Sequence, residues 1–188
     1  MPPTPLVPPA STVPPAPPDS SVLPTPMDTV TLERHIAARR ETVFGLLSDR
    51  EKWLSWMGLD GTFSFEPGGS YRTRVTGAAV ASGRFITVDP PGRVVFSWGW
   101  EPDPTAAAPG SGTWESGPTP VAPGSSTVEI TLRAEPEGTL LRLIHSGLPS
   151  TEACEEHAEG WQHYVDRLAS RAEGTGPGAD DWSGRPGG

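Results

Sequence analysis

Two periods of apolar spacing run along this chain, and the places where one gives way to the other mark out its elements. Residues 29–36 carry β-branched side chains in alternation and predict a first strand. Residues 38–48 switch to helical spacing, with Val43, Phe44, Leu46 and Leu47 apolar, and Ser48 or Asp49 can cap a second short helix over 50–57 bearing Trp53, Leu54, Trp56 and Met57. Period-two alternation then returns and predicts strands near 61–66, 70–76, 82–88, 93–100, 127–135 and 139–146. Pro67-Gly68-Gly69, Gly77, Asp89-Pro90-Pro91-Gly92 and Glu135-Pro136-Glu137-Gly138 punctuate them with fixed or positive φ. Turns this short imply an antiparallel meander.

One apolar face follows from the alternation: Val94, Phe96, Trp98 and Trp100 on one strand, Val128, Ile130 and Leu132 on the next, Leu141, Leu143 and His145 on the last. The longest periodic segment is 151–172, where Cys154, His157 with Ala158, Trp161, Val165 with Tyr164, Leu168 and Ala172 recur every three or four residues. Ser150 or Thr151 can cap it, and Glu152, Glu155 and Glu156 place negative charge near the positive end of its dipole. A helix of that length spans about 30 Å at ~1.5 Å per residue, so its stripe needs a broad partner. The apolar sheet face is that partner.

Composition bounds the rest. Residues 1–27 are rich in Pro, Ser, Thr and Ala and read as a disordered tail, with Met27 as the expected true start; 174–188 are Gly-rich and read as a second disordered tail. Residues 101–126 interrupt the meander as a flexible insertion, within which Trp114 offers a means of folding over an opening. The lone Cys154 can form no internal disulfide, so a reducing cytoplasm is the expected compartment. No run is apolar enough for a membrane span. A formal net charge of −9 with no basic cluster argues against nucleic acid. Lys52 is the sole lysine, which fits the codon bias of a GC-rich bacterial genome.

Specific words fall in this order: Asp89-Pro90-Pro91, Arg93-Val94-Val95-Phe96-Ser97-Trp98, Ser126-Thr127-Val128-Glu129-Ile130-Thr131-Leu132, His145-Ser146-Gly147-Leu148, and Glu156-His157-Ala158-Glu159-Gly160-Trp161 with Leu168. Together they resemble the activator of heat-shock-protein-90 ATPase homologue family of the START-like, or SRPBCC, superfamily, over residues 28–173. The resemblance implies an α+β helix-grip fold, a curved antiparallel sheet wrapped around the long C-terminal helix with a cavity between them. It implies a single domain over 28–173, and members that bind lipids, sterols or polyketides, some of which they cyclise.

Such a cavity would be lined by Trp53, Trp56, Phe63, Tyr71, Phe96, Trp98, Trp100, Leu141, Leu143, His145, His157 and Trp161. Aromatic residues on an inward face ordinarily just fill a core, but seven tryptophans in so short a chain favour a cavity. His145 and His157 facing one space would supply an acid and a base near neutrality, whereas two core histidines bonded to backbone are the commoner arrangement. Arg84 is expected to face water. Cys154 and His157 lie one turn apart, with no second pair at ligand spacing, so no metal or other cofactor is expected. Three functions follow: a binder of a small apolar or amphipathic molecule, which is favoured; a polyketide cyclase, aromatase or dehydratase using His145, His157 and Tyr71; and a co-chaperone, as the family name suggests. Gly160, in the middle of the helix, implies either a close strand or room for a ligand.

Overall fold

The structure, a computed structural model, describes residues 29–77, 79–102 and 121–182. Seven strands form one antiparallel sheet in the order β1-β7-β6-β5-β4-β3-β2: β1 (Thr29–Ile36), β2 (Asp60–Phe63), β3 (Ser70–Thr76), β4 (Ala79–Asp89), β5 (Arg93–Trp98), β6 (Ser126–Glu135) and β7 (Gly138–Ser146). Helices α1 (Arg40–Leu47) and α2 (Arg50–Leu54) follow β1, and α3 (Thr151–Ala172) closes the chain order. The sheet is curved and the fold is the helix grip.

The local signals act as expected. Asp49 caps α2 by accepting from the Lys52 N–H at 3.0 Å, and Ser150 caps α3 by accepting from the Ala153 N–H at 3.2 Å. The helix stripe is buried at Ala153, His157, Trp161, Tyr164, Val165, Leu168 and Ala169, while Cys154 sits half-buried at its margin. Val128, Ile130 and Leu132 of β6 and Leu141 and Leu143 of β7 are buried beneath it. Each fully buried aliphatic side chain contributes about 1.5–3 kcal/mol relative to exposure, so this layer is the main stabiliser.

Two features exceed the sequence pattern. β4 pairs with β3 through its first half and with β5 through its second, and its register with β5 shifts between Phe85 and Thr87. That irregularity bends the sheet and leaves Ile86 exposed. β1 returns to pair with β7, Thr29 opposite Ser146 and Ile36 opposite Thr139. Gly138 makes room for this, because a side chain there would collide with the Ile36 carbonyl and its φ of 152° suits glycine.

Two expected segments differ. The strand over 93–100 ends at Trp98, and Trp100 continues only as an isolated bridge to Ala81. Gly99 is the cause: a Cβ there would strike the Ala122 carbonyl, and the following Trp100 N–H donates to the Val121 carbonyl at 2.7 Å. Residues 174–182, expected as part of a disordered tail, instead pack back on α3. The Arg167 guanidinium donates to the carbonyls of Trp56 and Ala179 at 3.0 Å each, and His163 Nε2 lies 2.9 Å from Asp180 Oδ1. Trp182 stacks near His163 with centroids 4.9 Å apart. The N-terminal tail, Met27, Trp114 and most of the insertion lie outside the described residues.

Candidate functional site

Residues from four parts of the chain meet where α3 crosses the sheet. β5 and the residues after it bring Trp98 and Trp100, β3 brings Val75, the turn after α2 brings Met57, and α3 brings Glu156, His157, Gly160, Trp161 and Tyr164. Between them is a half-open apolar cleft of about 40 Å³, measured to the centres of water-sized molecules. A water needs about 10–15 Å³ on that measure and several polar partners, so the cleft admits a few waters by size and offers them little.

Of the predicted pocket residues, Trp98, Trp100, His157 and Trp161 line the cleft. The others fill the core. Trp53 packs on Trp56, Phe63 and Phe96 with ring centroids 5.1, 5.4 and 5.8 Å away. Tyr71 stands edge-on to Phe96 and its hydroxyl donates to the Ser97 carbonyl at 2.8 Å. Burial holds the Tyr71 phenol well above its ordinary pKa, so it stays protonated. Leu141 and Leu143 are fully buried under the sheet face. Arg84 is exposed and donates to the Gly68 carbonyl. Met57, Val75 and Tyr164 were not named as lining residues, because the register between α3, β3 and the α2 turn is set by long-range packing.

The two histidines come together, with ring centroids 4.9 Å apart at 73°. Their hydrogen bonds fix both tautomers. An indole N–H only donates. Trp161 Nε1–H donates to His145 Nδ1 at 3.0 Å, so His145 carries its proton on Nε2 and donates it to Ser126 Oγ at 2.8 Å. The Ser126 hydroxyl in turn donates a hydrogen bond to the Trp98 carbonyl at 3.0 Å. In the same way Trp100 Nε1–H donates to His157 Nε2 at 3.3 Å, and His157 Nδ1–H donates to the Ala153 carbonyl at 2.7 Å. All four ring nitrogens are engaged. Burial, and secondarily the neighbouring His157, push the His145 pKa well below its ordinary value; burial lowers His157 too, against the opposing effect of the Ala153 carbonyl. Both rings are neutral. Ser126 went unnoticed in the sequence because a serine at a strand start carries no signal of a partner on another strand.

Among the described residues, one set of potential metal-ligand atoms converges: His163, Asp180 and Asp181, within 4.8 Å of one another. The Arg167 guanidinium lies 3.9 Å from Asp180 Oδ2, and a fixed positive charge there opposes a cation. The group is a polar cluster that holds residues 174–182 against α3. Burial and the Asp180 carboxylate both raise the Tyr164 pKa beside it.

A long C-terminal helix gripped by a curved seven-stranded sheet, with an aromatic cleft under the helix, defines the START-like class. Within that class the chain belongs to the family described as activator of Hsp90 ATPase homolog 1-like protein, whose model matches residues 37–173. An AHSA1-like protein of Rhizobium etli, solved in solution, is 46% identical over 84% of this chain and 89% of its own, with a TM-score of 0.60. Protein MLL2253 of Mesorhizobium loti is 21% identical over 78% of this chain and 98% of its own (TM-score 0.63), and DynU16, from the dynemicin biosynthetic locus, is 22% identical over 82% and 51% (TM-score 0.64). A comparison with curated proteins gave no match. No helix among the described residues is long and apolar enough to cross a membrane.

Proposed function

We propose that the chain binds the end of a small apolar or amphipathic molecule in the cleft between α3 and the sheet and performs no reaction on it. The observation that carries this reading is the cleft itself, whose wall joins Trp98, Trp100 and Trp161 to Met57 and Val75 around one half-open apolar space. Pockets for whole drug-sized ligands occupy about 300–1,000 Å³, so binding is accompanied by widening, for which the half-buried Trp100 at the rim is suited.

The cyclase-like alternative needs His145 and His157 as acid and base. Each would first have to give up a hydrogen bond from a tryptophan, and each is held neutral by burial. The binding reading asks only for movement of Trp100, whose bond to His157 is the longer of the two, and leaves the Trp161–His145–Ser126 connection intact. Native mass spectrometry of the protein purified from its own cells, with tryptophan fluorescence titrations against fatty acids, sterols and aromatic ketones, tests it. The expected result is a retained mass or a saturable fluorescence change with at least one class. A protein that carries no ligand and responds to none of the three refutes the proposal.

A further inference from the structure

The three tryptophans of the cleft differ in one respect. Trp100 and Trp161 each spend their indole N–H on a histidine, at 3.3 and 3.0 Å. Trp98 is 3% exposed and its Nε1–H has no hydrogen-bond partner among the described residues. An indole nitrogen can only donate, and a buried donor left unpaired is costly, so this group is where an occupant of the cleft gains most. Water serves it poorly, because the surrounding wall is apolar and a bound water needs two or more partners.

We propose that the molecule bound in this cleft buries a neutral hydrogen-bond acceptor, a carbonyl or ether oxygen on a flat apolar body, against the indole N–H of Trp98. The inference rests on the binding function proposed above and names the chemistry of its ligand. Among the described residues that line the cleft Glu156 alone carries a formal charge, and His157 is neutral, so a carboxylate or phosphate finds repulsion there and no cation. The indole rings of Trp98 and Trp161, with centroids 5.2 Å apart, favour a flat body. The Trp98 Nε1 atom is covered in the form described here, so the proposal requires that the widening which admits the ligand also uncover it.

Two isosteric probes separate the possibilities: 1-indanone, which carries the carbonyl, and indane, which lacks it. Equilibrium dialysis against the full chain is expected to give tighter binding of 1-indanone by about 3- to 10-fold, the range of one net hydrogen bond. Indane-1-carboxylate is expected to bind more weakly than either. Trp98→Phe should bring the ketone-to-hydrocarbon ratio close to one, whatever the loss of ring area does to the affinity for indane itself. Trp53→Phe deletes an equally unpartnered indole N–H outside the cleft and should leave the ratio unchanged. Should Trp98→Phe not fold, the wild-type indole ¹H–¹⁵N spectrum decides: 1-indanone, and not indane, should move the Trp98 N–H resonance downfield. Equal affinity for the two probes, a ratio that survives in Trp98→Phe, or an unmoved Trp98 resonance on saturation with 1-indanone each overturns the assignment while leaving the binding function standing. If none of the three probes binds, the binding function fails for this ligand class, and the inference with it.

Discussion

Gly160→Ala is the substitution whose outcome most directly tests the packing of α3. A glycine inside a helix is about 1 kcal/mol less favourable than alanine, partly through the freedom it retains when unfolded. The gain from replacing it is realised only where the added methyl fits. A Cβ built at Gly160 meets a single atom within 4 Å, Trp182 Cζ2 at 4.0 Å, which is an ordinary contact. No strand approaches closely, and nothing must shift. The expected change is therefore a stabilisation of about 0.5–1 kcal/mol. In urea titrations the midpoint should rise with an unchanged slope, and the melting temperature should rise by roughly 2–4 °C per kcal/mol in a chain of this size. The same methyl enters the wall of the cleft, so affinity for a bound apolar probe should fall while stability rises. A destabilised variant would refute the open geometry at Gly160. Stabilisation together with unchanged affinity would remove Gly160 from the binding site.

Acid should weaken the fold through the two neutral histidines. Their folded pKa values lie below the ~6.5 of an unfolded histidine, so below about pH 6.5 the unfolded chain binds more protons. Stability is then level above pH 6.5 and falls as pH drops toward 5, each histidine contributing a slope that approaches ~1.4 kcal/mol per pH unit; urea midpoints that stay flat over that window would contradict the neutral assignment. Arg167→Ala should release residues 174–182 by removing the donor to the Trp56 and Ala179 carbonyls, at a cost of about 1–3 kcal/mol. Limited proteolysis should then cut within that segment. Arg167→Lys should release it too, because one ammonium cannot span both carbonyls as the planar fork does, and an intact segment in both variants would show that the strap is held by other contacts.

Much of the architecture was legible because it is written locally. β1, β3 and α3 occupy the very residues their periodicity marks, and the caps at Asp49 and Ser150 are where short polar side chains precede apolar runs. What depends on distant partners was not legible. Nothing in Thr29–Ile36 says that it joins β7 and not another edge, since its alternation would suit either. The 174–182 segment was misread because Gly and Pro composition signals disorder; the countersignal, a lone Trp182 beside Asp180 with Arg167 and His163 one turn apart on α3, becomes visible only when the helix face is known. For the site, strand alternation set Trp98 and Trp100 on one sheet face and helical spacing set His157 and Trp161 on one helix stripe, and all four line the cleft. Whether that space is filled or open depends on side-chain volumes summed across four segments, which no local pattern encodes. The histidine pair was legible as a pair, but not as two rings tied off by tryptophans and Ser126.

The first strand of the chain is paired with its last. During synthesis β1 emerges with Val30, Leu32 and Ile36 already patterned for burial, yet the edge it must join does not exist until residue 146 has left the ribosome, and the helix that covers it follows later still. Until β7 emerges β1 is thus an open template for a strand of any origin, including one from a neighbouring nascent chain. The closing of the sheet waits on β7, and a ribosome that stalls before β7 should leave an association-prone product.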